Sequence, residues 1–174
     1  MTEIVKAQES DIAGIAEIYE SIHDCEESGS AVIGWIRGVY PTGKTAEDAL
    51  RRGDLFVMRD GGRLVASAVI NQVQVDAYRH AAWKYDAKDE EVMVLHCLVV
   101  DPREKSRGCG RAFVTFYESF AKSRGCRYLR MDTNALNTRA RELYRTLGYE
   151  EAGIVSCVFN GIPDVRLVCL EKAI

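Results

Sequence analysis

The stretch of sequence that decides the fold runs from residue 92 to residue 111 and reads VMVLHCLVVDPREKSRGCGR. Its first nine residues are almost uniformly apolar, which is typical of a central strand covered on both faces. Gly108 and Gly110 follow among basic residues, and an amphipathic helical pattern begins directly after them. The stretch therefore predicts a strand that leads through a glycine loop into a helix.

The glycine loop has two interpretations, an anion-binding cradle or an ordinary tight turn. A loop that opens a helix presents unpaired N–H groups and the positive end of the helix dipole, which favour a phosphate. Lys105, Arg107 and Arg111 add positive charge. Phe113 stands where a dinucleotide fingerprint needs its third glycine, and the chain has no Gly-Lys-Ser/Thr sequence of a nucleotide triphosphate loop. Both nucleotide motifs are excluded, but the choice between cradle and turn stays open.

The remaining sequence predicts one α/β domain over residues 1–174, because no repeat, low-complexity segment or linker divides it. Helix 109–123 joins two strands, so these strands should pair in parallel, whereas the hairpin before them should be antiparallel. Residues 26–44 and 76–90 read as irregular segments. The predicted elements are strand 2–7, helices 9–25 and 45–52, strands 55–60, 63–73 and 92–100, helix 109–123, strand 127–133, helix 137–147, and strands 150–159 and 165–172.

Composition limits the classes of function. The net charge of −3 gives no general attraction to nucleic acid or to an anionic membrane. The N-terminus lacks the apolar segment of a signal peptide, and the longest apolar run is about half of what a membrane-spanning helix needs. The six cysteines show no Cys-x-x-Cys pair and no histidine at ligand spacing, which predicts buried reduced thiols and no metal site. We expect a cytoplasmic protein that binds neither nucleic acid nor membrane.

Residues 94–153 resemble the GNAT N-acetyltransferase superfamily. A combination of motifs over this length is specific, whereas Gly-x-Gly alone is not. Lys105 departs from the family, which usually has glutamine or arginine there. The matching residues are Leu98-x-Val100 with Pro102, Lys105-x-x-Gly108-x-Gly110, Asn137-x-x-Ala140-x-x-x-Tyr144, and Gly148-Tyr149. The resemblance implies a mixed, mostly antiparallel sheet with helices on both faces and a parallel pair of strands, the fourth and fifth, that splay apart.

The resemblance also implies that the chain binds acetyl-CoA. The diphosphate would lie on the N–H groups of residues 107–112, and the pantetheine arm would run along strand 92–100, bonded to the backbone of Leu98 and Val100. Asn137 would cap its helix, bond the pantetheine, or do both. The residues expected to bind acetyl-CoA are Leu98, Val99, Val100, Lys105, Ser106, Arg107, Gly108, Cys109, Gly110, Arg111, Ala112, Asn137, Ala140 and Tyr144.

Acetyl transfer from a thioester to an amine needs a neutral amine, a stabilised oxyanion and a proton for the departing thiolate. A lysine-like amine titrates near ~10.4 and a thiol near ~8.5, so a base and an acid both help. By resemblance, Tyr144 would be the acid and the N–H of Leu98 the oxyanion donor. His96 stands where family members often carry a glutamate base. It is either that base, with an ordinary pKa near ~6.5, or a hydrogen-bonded core histidine.

The resemblance places the acceptor pocket between the first helical segment, the middle strands and the last hairpin. Arg37 would favour an acceptor with a carboxylate, whereas the acidic run at residues 86–91 would attract a cationic amine or would simply be a solvated rim. Gln72 and Tyr85 lie in the same regions of the chain. The principal candidates are Trp35, Arg37, Tyr40, Asn71, Trp83 and Phe159.

The sequence therefore predicts an enzyme that transfers acetyl from acetyl-CoA to a primary amine by direct attack, without a covalent enzyme intermediate. Cys97 and Cys109 are not expected to be acylated. The alternatives are a CoA-binding sensor without turnover, and an acyltransferase with another acyl donor or a hydroxyl acceptor. Pairing into a homodimer is common among domains of this kind. The sequence does not identify the acceptor.

Overall fold

The structure, a computed structural model, describes residues 2–174. Its helices and strands follow the order that the sequence predicts. Short 3-10 turns occupy Glu9–Asp11, Asp76–His80, Asp89–Glu91 and Pro102–Glu104. The elements are β1 (Thr2–Lys6), α1 (Ile12–Glu27), α2 (Gly43–Arg52), β2 (Leu55–Asp60), β3 (Arg63–Asn71), β4 (Val92–Val100), α3 (Cys109–Ser123), β5 (Tyr128–Asn134), α4 (Thr138–Thr146), β6 (Glu150–Phe159) and β7 (Ile162–Ala173).

The strands form one seven-stranded sheet in the order β1-β2-β3-β4-β5-β7-β6. Neighbouring strands are antiparallel except β4 and β5, which α3 connects as a crossover. The mixed, mostly antiparallel sheet with its one parallel pair confirms the predicted fold class.

The parallel ladder between β4 and β5 is short. It pairs Val92–Leu95 with residues 128–131 and ends there. Beyond that point β4 continues along β3, and β5 continues along β7. The two strands therefore separate as predicted, and we call the point of separation the fork.

A β-bulge bends β4 at the fork. Val69 of β3 pairs with His96 and Ser67 pairs with Val99, so two residues of β4 oppose one of β3. Cys97, within the bulge, has a φ of 48°, in the left-handed region that non-glycine residues rarely adopt. Bulges bend a strand, which is how β4 turns away from β5 here.

Helices cover both faces of the sheet. Phe113 and Tyr117 of α3 pack on one face together with Leu95 and Met131. The Tyr117 hydroxyl lies 2.6 Å from the Met93 carbonyl of β4 and 3.1 Å from a carbonyl of β5, so it holds the two strands together just before the fork. The opposite face carries α1 and α2, which pack on β2 and β3.

The segment between α1 and α2 reaches the fork. Gly34 sits so close to the end of β5 that a Cβ atom built on it would lie 2.3 Å from Nδ2 of Asn134. Its φ of 84° is also one that glycine adopts most readily. This close approach places the following residue, Trp35, beside the open end of the fork. Within residues 2–174, no helix has the length and hydrophobicity that crossing a membrane requires.

Candidate active site

A cavity of about 640 Å³ occupies the fork. Its wall combines the diverging ends of β4 and β5, the start of α4, the segment before α2 and the β6–β7 hairpin. Aromatic, ionisable and hydrogen-bonding residues of this wall include Trp35, Tyr40, Asn71, His96, Leu98, Asp132, Asn137, Tyr144 and Phe159. The fork thus brings together residues that are far apart in the sequence.

The edge of β4 along residues 96–100 faces the cavity rather than another strand, since the ladder with β5 has already ended. A strand edge of this kind presents backbone N–H and C=O groups to any extended chain that lies beside it. Val99 turns its side chain into the core that α1 and α2 form with β2 and β3. Leu98 and Val100 are half-buried and line the cavity. The edge suits the pantetheine arm that the sequence predicts there.

The glycine loop continues from this edge into α3. The first helical hydrogen bond joins Ala112 N to the Gly108 carbonyl at 2.9 Å, and Arg107 N donates to the Glu104 carbonyl at 3.2 Å. The free N–H groups are therefore those of residues 108–111, a shorter range than the expected 107–112. Gly108 has a φ of 81°, and a Cβ there would meet no atom within 4 Å. An exposed loop of free N–H groups at a helix N-terminus is the arrangement that a diphosphate needs.

Gly110 has a different reason to be glycine. A Cβ at this position would lie 3.3 Å from Cδ2 of Leu143 in α4. The missing side chain therefore lets α3 and α4 approach each other. This packing is a second reason for glycine at this position, besides the approach of a phosphate that we expected for both glycines.

The basic side chains around the loop differ in their partners. Arg107 forms an ion pair with the buried carboxylate of Glu104 and lies 3.4 Å from Asp60. Arg111 donates to the Thr146 hydroxyl at 3.2 Å. Lys105 is exposed and has no ion pair within residues 2–174. The residue that departs from the family pattern is therefore the cation with the least competition for a phosphate, and Ser106, Cys109 and Ala112 complete the loop.

Tyr144 reaches the cavity from α4. Burial raises the pKa of its phenol above the ordinary value, and the nearby Asp132 carboxylate raises it further. The phenol is therefore protonated at neutral pH. Its ring packs edge to face with that of Tyr149, at 6.1 Å between centroids. Asn137, also on the cavity wall, caps α4 by accepting a hydrogen bond from Ala140 N at 3.1 Å, as predicted.

His96 lies at the fork and is held by Asn71. Asn71 donates through Nδ2 to Asp54 at 2.8 Å, and its Oδ1 accepts from Val73 N at 2.9 Å. The same Oδ1 lies 3.0 Å from Nε2 of His96. Because Oδ1 can only accept, Nε2 must carry the ring proton, which leaves the lone pair on Nδ1. Burial lowers the pKa of His96 to about 4, so the imidazole is neutral at physiological pH.

Asp132 of β5 is a site residue that we did not single out from the sequence. It lines the cavity, and its Oδ2 accepts a hydrogen bond from the Tyr78 hydroxyl at 2.8 Å. Burial raises its pKa to about 7, although the Tyr78 bond opposes that shift. The sequence did contain one signal for this role, because Asp132 is the one acidic residue of the predicted strand 127–133. Recognising it also required the register that sets Asp132 beside the fork.

Four of the six predicted acceptor residues line the cavity, namely Trp35, Tyr40, Asn71 and Phe159. The rings of Trp35 and Tyr40 meet edge to face, with 5.8 Å between their centroids. These two aromatic side chains and the neighbouring aliphatic residues give the acceptor side of the cavity an apolar part, beside polar side chains such as Asn134 and Asn160.

Arg37 lies outside the cavity, contrary to our expectation. Its guanidinium binds the carboxylates of Glu20, Asp24 and Glu27 along α1. The periodicity of the helix aligns these three acids on one exposed face, and a single long arginine side chain can pair with all of them. Arg37 therefore pairs with the acids of α1 and is not placed to bind a carboxylate of the acceptor.

Trp83 also lies outside the cavity. It stacks beneath the guanidinium of Arg130, at 4.1 Å from the ring centroid, and its indole N–H donates to the Tyr78 carbonyl at 2.8 Å. Tyr85 packs against Tyr128 on the same side of the sheet. These aromatic residues serve the packing of the segment 72–91 on the sheet, which is why they are not exposed despite lying in a polar stretch.

Cysteine thiols and metal-binding clusters are two further possible sources of chemistry. All six cysteines are free, but only Cys126 and Cys169 are buried, whereas the other four are half-buried rather than buried as we expected. Burial raises the pKa of the Cys97 thiol to about 11, so it is not a thiolate nucleophile at neutral pH. Among the described residues, no cluster of three or more histidine, cysteine, aspartate or glutamate side chains could hold a metal ion.

Solved structures resemble the whole fold. A GNAT-family acetyltransferase from Streptococcus agalactiae aligns over 99% of this chain and 95% of its own, with a TM-score of 0.81 and 19% identity. The ribosomal-protein-S18-alanine N-acetyltransferase of Escherichia coli aligns over 100% and 94%, with a TM-score of 0.70 and 19% identity. A protein from Salmonella typhimurium whose structure includes its cofactor acetyl-CoA aligns over 99% and 94%, with a TM-score of 0.69 and 16% identity.

Comparisons of sequence give the family. An uncharacterized N-acetyltransferase of Methanocaldococcus jannaschii is 34% identical over 73 residues, which are 42% of this chain and 32% of that relative. The match therefore spans only about a third of the relative's length. The profile of the acetyltransferase (GNAT) family, in contrast, matches residues 15–149, which include the fork, the glycine loop and α4. The chain belongs to the GNAT acetyltransferase family.

Proposed function

We propose that the protein transfers the acetyl group of acetyl-CoA to a primary amine by direct attack. The observation that carries the proposal is the unpaired edge of β4, which runs from the free N–H groups of α3 to the buried fork. A ligand laid along this edge has its anionic end on the glycine loop and its other end among ionisable side chains. This is the arrangement that transfer from an extended thioester requires.

The residues present fit acetyl-CoA. The N–H groups of residues 108–111 and the ammonium of Lys105 would hold the diphosphate, and the backbone of Leu98 and Val100 would bond the pantetheine. Once bound, acetyl-CoA supplies an activated acetyl thioester. The open space at Gly108 leaves room for the phosphate oxygens.

The side chains at the fork divide the proton transfers between them. Tyr144 is protonated at neutral pH and would give its proton to the departing thiolate. The N–H of Leu98, next to the bulge, would donate to the carbonyl oxygen as negative charge develops on it. His96, for which the sequence left open the roles of base and of core histidine, is neutral and so can accept a proton, although its low pKa makes it a weak acceptor.

The test is release of free thiol from acetyl-CoA by the purified protein over a library of primary amines, with the product identified by mass spectrometry. We expect at least one amine to be acetylated. Titration of acetyl-CoA by calorimetry, without any acceptor, measures binding separately.

Three outcomes would replace the proposal. Tight binding of acetyl-CoA with no thiol release over the whole library would favour a CoA-dependent sensor. Turnover with a longer acyl-CoA alone would change the donor, and an ester product would change the acceptor to a hydroxyl. Retention of a buried, protonated Tyr144 at the cavity favours the enzyme over the sensor, because a sensor has no need of an acid there.

A further inference from the structure

The fork sets His96 of β4 and Asp132 of β5 beside the cavity. Met93 and Leu95 of β4 face the α3 side of the sheet, as Leu129 and Met131 of β5 do. His96 and Asp132 come next along the two strands, so the alternation of side chains turns both to the opposite face, where the acceptor side of the cavity lies.

Asp132 is the carboxylate in this wall that remains available to a ligand. Its Oδ2 accepts the Tyr78 hydroxyl, whereas its Oδ1 has no hydrogen-bond partner and no cation approaches within ion-pair distance among residues 2–174. The other acid of the cavity wall, Asp48, already pairs with Lys44 at 2.7 Å. The arginine of the wall, Arg52, pairs with Asp54 at 2.9 Å.

The cavity that Asp132 lines is partly apolar. Its aromatic and aliphatic walls include Trp35, Tyr40, Phe159 and Ile162, beside polar side chains such as Thr133 and Asn160. No unpaired cation of the described residues lines this cavity, and Arg37 binds α1 instead. The site can therefore compensate a positive charge on its ligand, but among residues 2–174 it holds no free cation for an additional carboxylate beside that charge.

From this geometry we infer that Asp132 binds the ammonium of the acceptor and takes the proton that must leave before attack. We further infer that the acceptor is a cationic primary amine on an apolar or aromatic body, without a carboxylate next to the amine. The inference rests on the proposed acetyl transfer and names its substrate class and its proton acceptor.

The neighbouring titratable groups support Asp132 over His96 in this role. An amine near ~10.4 loses its proton more readily to a base near pH 7 than to one near pH 4, because the mismatch in pKa is smaller. Arg130, two residues away on the same face of β5, is a buried cation, but it donates to Gln74 and to the Tyr85 carbonyl rather than to Asp132. The phenols, thiols and imidazole around the carboxylate stay uncharged near neutrality, since burial raises the pKa of each phenol and thiol and lowers that of the imidazole. These groups are Tyr40, Tyr78, His96, Cys97, Tyr144, Cys157 and Cys169.

The ammonium gives one proton to Asp132, and the neutral amine attacks the thioester carbonyl, forming the C–N bond while the C–S bond breaks. Tyr144 gives its proton to the thiolate, and the second proton of the amine nitrogen restores the phenol. Asp132 then releases its proton to water. One acetamide, one thiol and one free proton result, and no redox partner is needed.

The test compares Asp132→Asn with wild type in thiol release, using acetyl-CoA and the best amine from the library. We expect kcat/KM for the amine to fall by about 100-fold, the lower range of general base catalysis, with the Kd for acetyl-CoA changed less than about 3-fold. Asp24→Asn, the same change on the exposed face of α1, is the matched control and should behave as wild type.

The pH profile separates a base from a merely structural carboxylate. In wild type, kcat/KM should rise with pH through a group near pH 7, and this limb should disappear in Asp132→Asn. A limb that persists in the variant, or an unchanged kcat/KM, would overturn the assignment. Persistence of the limb in His96→Gln is expected, and its loss there would give the role to His96.

The substrate class is tested with two pairs of probes that differ only by a carboxylate. Phenethylamine is compared with phenylalanine, and pentylamine with norleucine; the amine of each pair should be acetylated at least about 10-fold faster. Equal or reversed rates would overturn the class. Failure of the proposed function looks different, because wild type would then release no thiol with any amine of the library.

Discussion

His96 and Asp132 occupy equivalent positions on the two parallel strands, one residue beyond the last rung, Leu95 opposite Met131. Their burial at the fork reverses the usual order of their acidities. The pKa of His96 falls to about 4 and that of Asp132 rises to about 7, because a low-dielectric cavity disfavours the charged form of each. At physiological pH, the carboxyl is therefore the group that changes its charge, whereas the imidazole stays neutral.

Replacing Tyr144 with phenylalanine should lower kcat by about 10-fold or more, because the departing thiolate loses its proton donor. The Kd for acetyl-CoA, measured by calorimetry, should stay within about 2-fold, since the ring and its packing against Tyr149 are kept. Steady-state thiol release gives kcat.

Tyr149→Phe is the control for this substitution. It removes the buried hydroxyl of the neighbouring ring. That hydroxyl donates to Glu118 at 3.1 Å, outside the cavity wall. Its kcat should match that of wild type. Equal kcat for wild type and Tyr144→Phe would leave Tyr144 as a packing residue only.

Replacing Gly108 with valine should raise the Kd for acetyl-CoA by about 5- to 30-fold. The reason is that a side chain there fills the space in front of the free N–H groups, and this range corresponds to roughly 1–2 kcal/mol of lost binding free energy. The side chain also strains the backbone at this φ by roughly 1–2 kcal/mol, but that strain is present with and without ligand and lowers the stability of the fold instead. Calorimetric titration measures the change directly.

Gly125→Val is the matched control, because Gly125 follows the other end of α3, has a φ of 77° and also has open space around it. Both variants should lose similar stability in a thermal melt, but only Gly108→Val should lose affinity. Equal affinities for the two variants would contradict the phosphate cradle.

Asp132→Asn should stabilise the protein at alkaline pH. The ordinary pKa of this carboxyl is 3.8 and its folded value is about 7, so the folded protein binds more protons between these pH values. Ionising Asp132 therefore costs stability as the pH rises toward and through 7. The asparagine avoids that cost and can still accept the Tyr78 bond.

The measurement is the melting temperature of Asp132→Asn and wild type at pH 4 and pH 8. We expect a gain of at least about 3 °C at pH 8 and a smaller difference at pH 4, where the wild-type carboxyl is already neutral in the fold. A gain of the same size at both pH values would contradict the raised pKa.

His96 should carry its proton on Nε2 and remain neutral down to about pH 5. Long-range ¹⁵N–¹H NMR of the ring distinguishes the two tautomers and follows the titration, which we expect near pH 4. Since the folded pKa lies below the ordinary 6.5, this residue's contribution to stability is complete above pH 6.5 and is lost as the pH falls toward 4.

Asn71→Leu tests the cause of the tautomer. It removes the Oδ1 acceptor at 3.0 Å from Nε2, so the preference for the Nε2–H form should disappear. A purely Nε2–H ring in this variant would show that Asn71 does not set the tautomer, and a wild-type titration near pH 6.5 would contradict the effect of burial.

Local features of the sequence were sufficient to predict the order of the elements and the position of the glycine loop. Two such features are the apolar run at residues 92–100 and the amphipathic patterns of α3 and α4. They depend on neighbours within a few residues, so they can be recognised without knowledge of the fold. The cap formed by Asn137 is equally local, because it bonds to Ala140 in the next turn. The motifs around Tyr144 then led to the correct family.

Contacts between distant residues had to come from the tertiary structure. The register of β4 and β5 sets Asp132 at the fork, the three acids of α1 draw Arg37 away from the cavity, and Leu143 explains Gly110. Each of these depends on where chain segments far apart in sequence meet, and periodicity within one element carries no information about that. The sequence by itself determined which residues form each strand and helix, whereas only the packing of those elements decided which charged groups share the buried cavity.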